Sequence, residues 1–291
     1  MFEQFFTPYK TACAVKGERI AILAPHPDDE IFGCGGSAIK WQQQGKSVQA
    51  FILTSGVVAG EFNDQANPEQ LRSDKAKLRA DESIAAAALL GLPEPIFLNR
   101  QDGALLADTD IEALLLQQLE TWQPTTLVIP SCWEMHRDHR ATAQLGLALA
   151  QKLPTVEQVA MYEIGVPLSP NVLEDITAEQ PRKWQAMQCF PSQLAVQRYA
   201  EHINGLNQYR TYTLGLAITH AEAFCCIAKD ELSTFIEHFQ PDTTTQALLR
   251  SEQSHHPDQQ RITQLEQQIQ HLENSLSWRI TRPLRWLRAR F

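Results

Sequence analysis

The 291-residue chain has no apolar run of the roughly 18 residues that span a bilayer. Its first ten residues, Met1 to Lys10, lack a basic start followed by an apolar stretch, so no secretory signal is read there. None of its six cysteines, Cys13, Cys34, Cys132, Cys189, Cys225 and Cys226, belongs to a CxxC pair. A chain this long does not need disulfide staples, so these thiols read as reduced core or near-site groups of a cytoplasmic protein. Excess positive charge is missing too: 25 Lys and Arg stand against 34 Asp and Glu, a net charge of −9. That balance excludes non-specific nucleic-acid binding as the main role. The chain is 43% apolar, enough for a sizeable core and too much for a disordered polymer.

Short apolar runs alternate with helical patterns. Residues 19–24 (RIAILA), 47–54, 95–98 and 126–130 (TLVIP) read as strands, with further strands at 156–163 and 222–228. Helices are expected at 36–45, 69–90, 109–122 and 139–152, and helical segments near 179–189 and 193–214. A polar loop from Ser55 to Pro68 is expected to border the pocket. This order predicts an α/β fold, a mainly parallel sheet with helices on both faces, over residues 1–239.

Composition changes beyond that. Residues 240–261, rich in Thr, Gln, Ser and His, read as a polar linker. Ile262, Leu265, Ile269, Leu272 and Leu276 are then spaced 3, 4, 3, 4, a short coiled-coil-like seam suited to a homo-oligomer or a partner protein. Residues 277–291 set Arg279, Arg282, Arg285, Arg288 and Arg290 among Trp278, Trp286, Ile and Leu. Basic and aromatic residues on one short helix suit an anionic membrane surface, here the inner face of the membrane.

Two clusters carry chemistry. The strand RIAILA runs into Pro25-His26-Pro27-Asp28-Asp29-Glu30. One imidazole and three carboxylates at the end of a core strand need a counter-charge, and a divalent metal supplies one. Of the adjacent aspartates, one can ligate while the other faces a water as general base. Gly33, Gly35 and Ala38 also fit GxGxxA, but the glycines follow the acidic turn rather than the strand, and the second strand ends without an acid for a ribose. They read as close-packing residues. The strand TLVIP ends in a second cluster, His136-Arg137-Asp138-His139, an HxDH pattern.

HPDDE with a downstream HxDH resembles the LmbE/PIG-L family of zinc-dependent N-acetylglucosaminyl deacetylases over about residues 18–229. The resemblance implies a Rossmann-like layer without dinucleotide and hydrolysis of the N-acetyl group of an N-acetylglucosamine-containing substrate. It implies His26, Asp29 and His139 as metal ligands, Asp28 as general base, His136 as oxyanion-stabilising acid and Asp138 as its partner. Arg79 and Glu82 in LRADES, and Asp102 in RQDGAL, resemble supporting positions of the family, with Arg79 and Asp102 on the substrate side. Ser192-Gln193 and Ala221 to Phe224 resemble its late blocks. Arg137 stands where the motif often has Pro, and its guanidinium would face a substrate phosphate. The donor set accepts Zn2+ and also Fe2+, Co2+ or Mn2+. Two alternatives remain: a deacetylase of a thiol-precursor glycoside, and a metal-stabilised assembly module of a polysaccharide-synthesis complex.

Overall fold

A computed structural model describes residues 15–58 and 60–239. The expected linker, heptad seam and basic tail lie outside the described residues. No described helix is long and apolar enough to cross a membrane.

Strands β1 (Arg19–Ala24), β2 (Ser47–Val58), β3 (Ile96–Asp102), β4 (Thr126–Pro130), β5 (Gln158–Tyr162), β6 (Val172–Asp175) and β7 (Ala221–Ala228) form one sheet of order β3-β2-β1-β4-β5-β7-β6. The first five strands are parallel, and β7 runs antiparallel to both β5 and β6. Helices α1 (Asp29–Gln43), α2 (Pro68–Leu90), α3 (Ile111–Trp122), α4 (Arg137–Lys152), α5 (Gln180–Met187), α6 (Pro191–Leu194), α7 (Tyr199–Tyr209) and α8 (Leu232–His238) complete the described chain.

Alternate residues of each strand point to opposite faces. On one face Ala21, Leu23, Leu127, Ile129, Val159 and Met161 pack with residues of α3 and α4. On the other, Ile20, Ile22, Val128 and Ala160 pack against Cys34, Ala38 and Trp41 of α1. From β1 the chain winds outward through β2 to β3, then returns to the opposite side of β1 as β4. The C-terminal ends of β1 and β4 therefore flank the switch point, where an open parallel sheet leaves a crevice. Both sequence clusters follow those two ends.

The structure moves several expected boundaries. Helix α1 begins at Asp29 rather than 36, because tertiary packing carries the glycine run that helix propensity disfavours. A side chain at Gly33 would run into the Tyr162 ring, and one at Gly36 would meet Ile176. Cys34 departs from helical geometry (φ −143°, ψ 22°) and kinks the helix. The N–H groups of Gly36 and Ser37 donate instead to Glu222, at 2.9 and 2.7 Å. Strand β2 continues to Val58, removing Ser55–Val58 from the expected loop. Ser55, Val57, Gly60 and Asn63 line a groove of their own, with Arg72, Asn99 and Arg100. Strand β6, four residues with two acids, has too little apolar pattern to be anticipated. The expected helix over 193–214 divides into α6 and α7.

Lys183 of α5 holds the kink from below. Its buried ammonium donates to Glu222 (2.6 Å), Phe32 O (2.8 Å) and Asn207 Oδ1 (3.1 Å). Removing one member of a buried ion pair strands the other. Lys183→Met is therefore expected to cost about 3–5 kcal/mol. Urea unfolding checks this, and a loss below about 1 kcal/mol would show that the kink does not depend on the pair.

Candidate active site

The first cluster lies on a strained turn. Asp28, the N-cap of α1, has φ 146° and ψ −35°, outside the regions open to most L-residues. Such a conformation persists only where its surroundings over-determine it. Its N–H donates to Glu30 Oε2 at 3.0 Å, and its carbonyl accepts from the N–H groups of Ile31 and Phe32. Arg79 reaches in from α2 and donates to Asp28 Oδ2 (2.9 Å), Pro27 O (3.0 Å) and Gly56 O (3.0 Å). Gly56 sits at φ 67°, and a Cβ there would overlap the guanidinium. Arg79 thus lines the cavity, but these groups of the turn and of β2 occupy its Nη atoms.

The second cluster starts α4. His136 is the N-cap, and its Nδ1 accepts the Asp138 N–H at 3.3 Å. The neutral ring then carries its proton on Nε2. Asp138, buried, accepts the N–H of Gly103 (2.5 Å) and of Leu105 (3.4 Å), which fixes the turn after β3. Its carboxylate lies 3.7 Å from His26 Nε2. Asp138 therefore faces His26 and meets His136 only through its own backbone N–H.

The two clusters converge on Asp29. Its Oδ2 lies 3.1 Å from His26 Nδ1 and 3.3 Å from His139 Nε2, and it accepts the His26 N–H at 3.0 Å. Ligand atoms around a tetrahedral zinc ion, about 2.0–2.2 Å from it, are about 3.3 Å apart, and both of these nitrogen–oxygen separations match that spacing. His136 joins His26 and His139 in a wider set whose donor atoms lie within 4.8 Å of one another, and His26, Asp102 and Asp138 form another. In the second set Asp138 already accepts backbone N–H groups, and Asp102 Oδ1 lies 3.3 Å from His26 Nε2, a buried nitrogen that has no hydrogen-bond partner. Asp102 is thus brought beside the histidine and also lines the cavity. Arg137 is exposed, its guanidinium beside Gly103, and does not line the cavity.

Charge follows geometry. Burial is the largest influence on Asp28 and pushes its carboxyl up to about 7, against the Arg79 guanidinium that holds it down. Burial also pushes Glu30 up to about 8. Asp29 goes the other way: burial opposes its ionisation, but His139 and His26 hold it well below the usual carboxylate range. Burial would lower His139, yet the Asp29 carboxylate brings it up to about 9. His26 is likewise raised, its burial outweighed by Asp102, Asp138 and Asp29. Asp102 falls to about 2 despite its burial, through His26. Burial lowers His136, and the neighbouring His26 and His139 add to this. Protons on His26 and His139 stand where a divalent cation would supply the same counter-charge.

These groups floor a cavity of about 680 Å3. Its far wall comes from α6, α7 and the segment between them: Gln193, Gln197, Tyr199 and His202. The Glu82 carboxylate tethers that wall to α2 by accepting from the N–H (2.9 Å) and hydroxyl (2.6 Å) of Ser192. Sequence reading assigned no role to the wall residues or to Glu134. Of the wall, Gln193 falls in a segment noted only for its resemblance to a late block of the family, Gln197, Tyr199 and His202 fall in no motif, and Glu134 looks like any acid in a polar loop until β5 is paired beside β4.

Residues 21–150 match the family model described as PIG-L, GlcNAc-PI de-N-acetylase. A probable N-acetyl-alpha-D-glucosaminyl L-malate deacetylase 2 of Bacillus anthracis is 27% identical over 196 residues, 62% of this chain and 84% of that protein. The N,N'-diacetylchitobiose deacetylase of Pyrococcus horikoshii superposes with a TM-score of 0.63 at 22% identity, over 84% of this chain and 97% of that one. A 4-carboxy-2-hydroxymuconate hydratase of Pseudomonas putida KT2440 superposes with a TM-score of 0.61 at 20% identity, over 72% and 96%. The sheet alone therefore does not select the reaction. HPDDE and HxDH meet at its switch point and the family model is matched across both, so residues 21–150 carry a PIG-L (LmbE) family domain.

Proposed function

We propose that this protein is a metal-dependent hydrolase that removes the N-acetyl group from an N-acetylglucosamine-type glycoside. The observation that carries the reading is Asp29 Oδ2, buried at the cavity floor within 3.1 and 3.3 Å of one ring nitrogen each of His26 and His139, with Asp28 beside it. His26, Asp29 and His139 would hold the metal. When bound, it supplies Lewis-acid polarisation and lowers the pKa of a coordinated water. Zinc fits this donor set, as do Fe2+, Co2+ and Mn2+.

The remaining steps belong to the chain. Asp28, aimed by Arg79, takes the proton of the attacking water as the C–O bond to the acetamide carbon forms. The Nε2 proton of His136 faces the carbonyl oxygen as it gains charge. The proton taken up by Asp28 then passes to the nitrogen as the C–N bond breaks, giving acetate and a free amine, and His136 keeps its Nε2–H. Gln193, Gln197 and Tyr199 offer amide and aromatic groups suited to sugar hydroxyls and ring faces.

Amine release from N-acetylglucosamine, its nucleotide-diphosphate form, a polyprenyl-diphosphate form and a thiol-precursor glycoside tests the reading. Release from at least one is expected from metal-loaded protein, and none from any would sink it. Asp28→Asn tolerates the positive φ and is expected to slow turnover about 100- to 10,000-fold, with metal content unchanged. Loss of metal in that variant would overturn the assignment of Asp28 as base. His26→Ala and His139→Ala are expected to lose the metal itself, read by elemental analysis. Arg79→Lys cannot present two Nη donors to Asp28, Pro27 O and Gly56 O. It is expected to lower kcat about 100-fold, as a misplaced reacting group does, with KM little changed. A rise in KM alone would return Arg79 to substrate binding.

A further inference from the structure

Glu134 sits between β4 and α4 and is 1% exposed. Its carboxylate faces two ways. Oε1 accepts the N–H groups of Ile164 (2.8 Å), Gly165 (3.1 Å) and Val166 (3.4 Å). Oε2 accepts from Gly165 as well (3.0 Å) and lies 3.5 Å from His139 Nδ1. That ring nitrogen is buried and has no hydrogen-bond partner as it stands. A buried imidazole nitrogen calls for one, and Glu134 Oε2 is the acceptor opposite it. The ring's other nitrogen, Nε2, faces Asp29.

We infer that Glu134 is a positioning residue that sets the tautomer of His139, and that the same carboxylate anchors the 164–166 backbone walling the cavity. The inference rests on the proposed metal site. A metal-bound histidine donates its second N–H to a carboxylate or carbonyl, which orients the ring. With its proton on Nδ1 and pointed at Glu134, His139 keeps a lone pair on Nε2, the nitrogen beside Asp29. The other nearby acid, Asp138, does not fill this place, because it holds Gly103 and Leu105 and faces His26. Three N–H groups converge on Glu134 Oε1, so the carboxylate cannot turn away from His139 without leaving the 164–166 segment unpaired. Metal binding and the cavity wall are thereby linked through one side chain.

Glu134→Gln tests this sharply, because an amide has one acceptor and one donor end. The oxygen is required by the 164–166 amides, so the NH2 faces His139 Nδ1. Nδ1 must then accept, and the proton moves to Nε2, where it blocks ligation. Expected in E134Q is a 10- to 100-fold loss of zinc affinity, measured by competition with a chromophoric chelator on the full chain. Imidazole 15N NMR should show the His139 proton on Nδ1 in the zinc-loaded wild type and on Nε2 in metal-free E134Q at alkaline pH. A merely structural role would lower the unfolding midpoint and leave the tautomer alone. Unchanged zinc affinity with Nδ1–H retained overturns the inference and leaves the proposed function standing. Failure of the wild type to bind zinc overturns the metal reading and this inference with it. If E134Q does not fold, the zinc-loaded wild type decides: an Nδ1 proton on His139 supports the inference, and an Nε2 proton overturns it.

Discussion

The constraint on which the rest of this structure depends is the burial of negative charge at one point of the sheet. Asp29, Glu30, Asp102, Glu134 and Asp138 are each less than a tenth exposed, and Asp28 is only partly open. Isolated, each would cost several kcal/mol. The fold divides them among different donors. Backbone N–H groups take Asp138 and Glu134, Ser83 and the Asp28 N–H take Glu30, and the Arg79 guanidinium takes Asp28. Asp29 and Asp102 are left to the two imidazoles. That is the share of the charge a divalent cation is suited to balance.

Most of the surrounding architecture serves this arrangement. Helix α1 must begin immediately after the His26–Asp28 turn, so the glycines that follow the turn lie inside a helix and close to the sheet. The resulting kink leaves two amides for Glu222, and Lys183 holds that glutamate from α5. The kinked helix, the far wall of the cavity and the antiparallel strand β7 are therefore tied through buried polar contacts rather than through apolar packing alone. Such networks are costly when broken and specify one arrangement of the elements.

The two halves of the site differ in how they are held. His26, Asp28 and Asp29 lie on a turn whose backbone is strained and clamped by Arg79 and Glu30. His136, Asp138 and His139 open a regular helix, and their positions follow from its N-cap. The strained half carries the proposed base, a carboxylate held beside the proposed metal ligands by Arg79. Backbone strain there keeps the side chains of Asp28 and Asp29 on different courses.

The sequence by itself determined where the chemistry lies. RIAILA and TLVIP are apolar enough to be core strands, and the residues following them are too rich in His, Asp and Glu to be ordinary turns. Alternation of strands and helices carried the parallel sheet, because local periodicity reports burial directly. Local pattern could not report what depends on neighbours distant in the chain. The helical state of the glycine run needed Tyr162 and Ile176 beside it. The occupation of Arg79 by Asp28 and Gly56, the turning of Asp138 toward His26, and the place of Glu134 between His139 and residues 164–166 likewise emerge only once β1, β4 and β5 stand side by side. Tertiary structure decided these points because an acid's role is set by which donors surround it, and those donors come from elements dozens of residues away.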